Sequence, residues 1–132
     1  MIAILSILLL QAATPAAGPA LPADWSALPP LPYQEPPKVT PAMDTFVANE
    51  YGLGHCAKPK PGANGHYVVS LDIAALVASK GQVRRAVPRA IDCPTVEQYG
   101  AGLVTSFARD NLQPGANGDQ WYRATLVFDW AP

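Results

Sequence analysis

The sequence predicts one small α+β domain, built from three strands and one main helix with a shorter helix ahead of them. Three observations predict it. Apolar and polar residues alternate from Tyr67 to Ile73 and again from Trp121 to Trp130, the period-2 signature of strands. Between these runs, Cys93-Pro94-Thr95 opens a stretch with apolar residues at helical spacing. Chain reversals are supplied by Ser79-Lys80-Gly81-Gln82 and by two copies of Pro-Gly-Ala-Asn-Gly, at 61–65 and 114–118.

Taken in order, the apolar run Met1 to Leu10 is too short to cross a bilayer as a helix and suits the core of an export signal. Residues 1–20 are therefore read as a signal peptide or short hydrophobic segment. Nine of the fifteen prolines precede Ala42. Proline fixes φ and lacks a backbone donor, so residues 21–40 read as an extended, solvated, polyproline-like spacer. The folded domain is expected over 41–132. Thr40 can cap a helix with Pro41 in its first position, Met43, Phe46, Val47 and Tyr51 at helical spacing, and Gly52 and Gly54 as its stop.

A strand follows the first Pro-Gly-Ala-Asn-Gly. Leu71 to Ala78 also holds good helix formers with Ser70 as a cap, but length and the entry residues favour a strand. Val83 to Ile91 reads as a second strand carrying Arg84, Arg85 and Arg89, and Pro88 requires it to lie at a sheet edge or be bulged. In the main helix, Thr95-Val96-Glu97-Gln98 fits a capping box. Val96, Tyr99, Leu103 and Phe107 mark its expected buried face, and Gly100 and Gly102 its close approach to the sheet. In the last strand, Tyr122, Ala124, Leu126, Phe128 and Trp130 are expected to face the core, with Arg123, Thr125 and Asp129 facing water. The repeated pentapeptide reads as turn grammar launching a strand each time, not as a duplicated unit.

Nine basic against ten acidic side chains give a net charge of -1, which argues against nucleic acid as a partner. The two cysteines, Cys56 and Cys93, suit an exported protein in which a disulfide persists; two buried free thiols are the alternative. Catalysis is not expected. His55, Cys56, His66 and Cys93 are zinc-ligand types, but no C-x-x-C or H-x-x-x-H pair exists. Asp72 and Asp129 could approach across strands, yet both fall on the predicted solvent face. Neither G-x-S-x-G nor a phosphate loop occurs, and no cofactor is implied.

The order strand, Lys80-Gly81-Gln82-Val83 turn, strand, capped helix, Leu112-Gln113-Pro114-Gly115 and aromatic-rich final strand resembles the C-terminal domain of the TonB family, over about Tyr67 to Trp130. The resemblance implies a three-stranded antiparallel sheet of order 2-1-3 packed on the main helix, because a right-handed return places the last strand beside the first. It also implies a periplasmic or secreted location and a protein partner, a TonB-dependent receptor or a periplasmic protein, bound by strand addition at the last strand. The partner-binding strand is then Trp121, Arg123, Thr125 and Val127. An energy transducer of that family would add a membrane-spanning helix and a longer spacer, so fold and binding mode are implied rather than force transmission. The open edge also allows a homodimer by strand exchange.

Lys80, Arg84, Arg85 and Arg89 form a basic stretch with no acid between Asp72 and Asp92. It could meet an anionic membrane surface or an acidic partner loop, or simply protect a sheet edge. The competing function is a small envelope-associated structural protein without peptide binding, in which Arg123 and Asp129 only guard the edge.

Overall fold

The computed structural model describes residues 18–114 and 119–132; the run Met1 to Leu10 and positions 115–118 of the second pentapeptide lie outside them. The elements are a 3-10 turn at Trp25–Ala27, α1 at Pro41–Gly52, β1 at Tyr67–Val77, β2 at Val83–Pro88, α2 at Pro94–Ala108 and β3 at Gln120–Trp130. The sheet runs β2-β1-β3 with both pairings antiparallel, an α+β fold of the expected order. Among the described residues no helix is long and apolar enough to cross a membrane.

The helix-forming stretch from Leu71 onward is strand because both of its faces are covered. Leu71, Ile73, Ala75 and Val77 pack in the core shared with α1 and α2, while Ala74 and Leu76 are buried on the opposite face. A continuous apolar run is what a strand buried on two sides requires, and that burial overrides helix propensity. β1 pairs with β3 along its whole length, Tyr67 opposite Trp130 through Val77 opposite Gln120. With β2 it pairs only from Ile73 to Val77, the register slipping between Leu76 and Val77. β2 thus ends at Pro88, short of the expected Ile91, and one last bond, Arg89 N–H to Asp72 C=O at 2.9 Å, follows it; the proline's missing N–H falls on the outer edge of the sheet.

The two described turns share one construction. In each, the N–H of the fourth residue bonds the C=O of the first and a glycine takes positive φ: Gly65 to Gly62 at 2.9 Å with φ 79, Gly81 to Ala78 at 2.8 Å with φ 80. The first residue's N–H then bonds the fifth residue's C=O, Gly62 to His66 and Ala78 to Gln82, each at 2.8 Å. This bulged turn needs a left-handed residue at its last position, so the final glycine is the essential letter of the pentapeptide.

The two helices differ in how closely they follow the expected details. In α1 the cap is as read, Thr40 Oγ1 accepting from the Met43 N–H with Pro41 in the first turn. At α2 the cap is Cys93, whose side chain makes no capping bond, rather than a Thr95 box. Glu97 reaches back instead, accepting from the N–H of Cys93 at 3.0 Å and of Ile91 at 3.2 Å. The buried face is Val96, Gly100, Ala101, Val104 and Ala108, so Tyr99, Leu103 and Phe107 sit at its margin, partly buried. Small residues at the centre let the helix lie close to the sheet. A Cβ at Gly100 would meet Leu71 Cδ2 at 2.3 Å, whereas one at Gly102 would point into open space. Gly100 is thus required by packing and Gly102 is not.

Cys56 and Cys93 form a disulfide with a Cα–Cα distance of 5.2 Å, fastening the chain after α1 to the start of α2. Closing a loop of 37 residues contributes about 4 kcal/mol on the chain-entropy account.

The largest correction concerns residues 21–40, expected to be a solvated spacer. They form a strap that packs on the molecule: Trp25, Leu28 and Leu31 are all buried. Trp25 and Leu28 join Ala74, Leu76 and Trp121 in a second apolar cluster on the sheet face opposite α2. From there the chain crosses the outer flank of β3, bridges Tyr33 to Leu112 beyond the end of α2, and delivers Val39 and α1 to the main core. Gln34 N–H to Asn111 C=O at 2.7 Å and Gln113 N–H to Pro32 C=O at 2.8 Å secure the crossing. The strap remains locally extended, as its prolines demand, but it is a layer of the fold.

Candidate functional site

Backbone parity defines the site. The N–H of Arg123 bonds the Pro29 C=O, and the Arg123 C=O accepts from the Leu31 N–H, both at 2.9 Å. Arg123 therefore turns both its backbone groups away from β1, and alternation along a strand makes Trp121, Thr125, Val127 and Asp129 do the same. These are the residues expected to form the partner-binding strand, together with Asp129.

Their surroundings differ. Trp121 is buried beneath the strap, its indole N–H donating to the Pro19 C=O at 2.6 Å. Arg123 is paired to the strap. The Asp129 N–H is taken by the Asp44 carboxylate of α1 at 3.0 Å. Between these two covers, the outward N–H and C=O groups of Thr125 and Val127 have no backbone partner among the described residues. The expected open edge of four positions is thus a gap of two, because the strap occupies the first half.

The surface beside the gap is apolar and polar by turns. Val127 is 50% exposed and its diagonal neighbour Val68 is 45% exposed, on the face the strap leaves bare. Thr125 donates its hydroxyl to Asp72 Oδ1 at 2.6 Å, and His66 Nδ1 lies 2.6 Å from Asp129 Oδ1. Asp72 and Asp129 are therefore held by separate partners across the face, each engaged in a local bond, and do not converge as an acid and base pair. A second uncovered flank was not anticipated. Because β2 ends at Pro88, with the Arg89 N–H to Asp72 C=O bond closing it, Val68 and Ser70 also lack backbone partners on the β2 side among the described residues.

The basic residues do not act as one patch. Arg84 forms an ion pair with Asp119. Arg85 lies over the Trp121 ring at 5.3 Å from its centroid and Arg89 over Trp25 at 4.7 Å. These arginines brace the two tryptophans of the strap cluster. Lys80 stands apart on the β1–β2 turn, beside the C-terminal end of α2.

Of the metal-ligand types, both cysteine sulfurs are committed to the disulfide. His55 Nδ1 lies 2.7 Å from Glu50 Oε2, which also accepts from the Thr95 hydroxyl at 2.9 Å. Those hydrogen bonds, from His55 first and Thr95 second, hold the Glu50 carboxyl below its ordinary value. Burial pushes the Tyr33 phenol up to about 12, and its buried hydroxyl has no hydrogen-bond partner among the described residues.

Residues that sequence reasoning missed are those of the strap. Their signal was present: Trp25, Leu28 and Leu31 recur every third residue. A polyproline helix and a 3-10 turn both have three residues per turn, so this spacing aligns one apolar face.

Comparison with protein-family models, curated proteins and solved structures finds no match to the chain.

Proposed function

We propose that the chain is a periplasmic or secreted protein-interaction module of TonB C-terminal-like fold. It binds an extended segment of an envelope or outer-membrane protein by strand addition at β3. A TonB-dependent receptor, or another periplasmic protein of a TonB-type transport system, is the kind of partner this reading requires. The observation that carries it is the gap at Thr125 and Val127. Two residues with outward donors and acceptors, beside exposed Val127, offer main-chain bonds for affinity and a side-chain surface for selection. The sheet order and the disulfide are compatible with it.

Thr125→Pro tests it, because the Thr125 N–H points outward and its loss leaves the β1–β3 ladder bonds intact. A photoreactive side chain at position 127 is expected to cross-link a single extended segment from an envelope extract in the parent chain and none in Thr125→Pro. Unchanged cross-linking in that variant, with the disulfide and circular dichroism preserved, sinks the reading.

One observation favours a second reading, the envelope-associated structural protein without a peptide ligand. The strap already fills the Arg123 position of the same flank. Under that reading the strap is all that the outer flank of β3 receives, and the amides of Thr125 and Val127 keep fast hydrogen exchange in every envelope fraction.

A further inference from the structure

At the end of the molecule remote from the β3 gap, a cleft of about 580 Å³ lies between the β1–β2 turn and the C-terminal end of α2. Its volume falls within the range of small-molecule sites. Lys80 on the turn and Arg109 at the helix end line it, together with Asp110. Two cations against one carboxylate leave one net positive charge. Neither Lys80 nor Arg109 has an ion-pair partner among the described residues, and both are exposed.

The negative end of a helix ordinarily repels anions. Here the last turn is muted, since the Ser106 C=O accepts from the Arg109 N–H at 3.3 Å and the Ala108 C=O from the Asn111 N–H at 3.2 Å. The Phe107 C=O accepts from the Asn111 side-chain amide at 3.1 Å. At the helix end the cleft is therefore lined by the side chains of Arg109 and Asp110 rather than by free carbonyls. Gln82 adds an amide with no side-chain hydrogen bond among the described residues, and Gln34 is held in place by its bond to the Leu112 C=O at 3.0 Å. The remaining lining is Gly81, Thr105, whose hydroxyl is spent on the Ala101 C=O at 3.0 Å, and an apolar floor of Val83, Ala108 and Leu112. A bare ion would leave that apolar surface wet.

We propose that this cleft binds a monoanionic carboxylate carried on a short apolar body, as at the C-terminal residue of a peptide. Lys80 and Arg109 flank the carboxylate and the apolar lining receives the body. The site is independent of strand addition at β3.

The test is an amide NMR titration of the full chain with N-acetyl-leucine, with N-acetyl-leucinamide and inorganic phosphate as matched arms. N-acetyl-leucine is expected to shift the Gly81, Gln82 and Arg109 amides saturably by about 10 mM, while the other two probes do not. Lys80→Ala and Arg109→Ala, both at exposed positions, should each weaken binding about five-fold with the rest of the spectrum unmoved. The proposal is overturned by equal shifts from acid and amide, by saturation with phosphate alone, by no saturation with the acid, or by undiminished binding in the double variant.

Discussion

The sheet has two halves built on different principles. Near the β1–β2 turn it is three strands wide and covered on both faces, by α2 on one and by the strap on the other. Toward Tyr67 and Trp130 it is two strands wide, covered by α1 and α2 on one face only, with Val68 and Val127 exposed on the other. The first half is held by apolar burial with two arginines laid over the tryptophans. The second is held by ring stacking of Trp130 on Tyr51 and Tyr67, and by the disulfide alongside. Where the structure supplies a second layer, the backbone flank is closed. Where that layer is lacking, the flank at Thr125 and Val127 stays open.

The contrast is broken most strongly from the covered half. Trp121→Ala removes a buried ring, the bond to Pro19 and the seat of Arg85, and should cost about 3 to 5 kcal/mol in urea unfolding. Trp25→Ala should fall in the same range, although it lies in the segment that composition alone assigns to a linker. If Trp25→Ala leaves the midpoint unchanged, the strap is not part of the fold.

A somewhat smaller loss is expected from the bare half when its link is cut. Replacing Cys56 and Cys93 together by serine should cost about 3 to 4 kcal/mol, and mass measured before and after reduction should differ by two hydrogens in the parent chain only.

Titration sharpens the comparison with weaker perturbations. Tyr33, where the strap rounds the β3 flank, has its folded value raised from 10.0 to about 12 by burial. A raised value means that its contribution is complete below pH 10 and is lost as pH climbs toward 12. Ultraviolet titration should therefore show Tyr33 ionising late together with strap release, alongside Tyr51 and Tyr99, which burial also raises. In the bare half the sign is opposite. Glu50 is lowered from 4.5, so the stability it adds is present above that value and disappears as pH falls through the depressed one. Glu50→Gln should flatten that acid limb of the stability profile.

The smallest effect belongs to the gap itself. Val127→Thr should change stability by no more than about 0.5 kcal/mol, since the side chain is half exposed. Hydrogen exchange reports on the same place without a partner present: the Thr125 and Val127 amides should exchange far faster than those of Leu126 and Phe128, which face β1. Equal protection along all four residues would show that the flank is closed.

Much of this could be read from residue patterns, and the failures share a cause. The alternation in Trp121 to Trp130 placed Tyr122, Ala124, Leu126 and Phe128 correctly on the face toward the helices, with Trp130 partly buried at its margin, because a half-buried strand writes its burial into its period. Pro88 announced an edge strand for the same local reason. The face of α2 was misjudged by about one residue because Tyr99, Leu103 and Phe107 carry more apolar surface than Gly100 and Ala101, while the sheet needs the small residues at the point of contact. Trp121 was counted among outward, available positions. It is outward, but the strap lies over it.

By itself, the sequence determined the two helices, the three strands, the turns closed by Gly65 and Gly81, the α+β class and the one pairing open to its two cysteines, since each depends on neighbours within a few positions or on a count. Only the tertiary structure decided what covers what. A proline-rich segment has the same local conformation in water and against a sheet, so its chemistry cannot say which; the answer depends on Ala74, Leu76 and Trp121 arriving from distant positions to bury Trp25 and Leu28. That single docking event sets how much of β3 is left open.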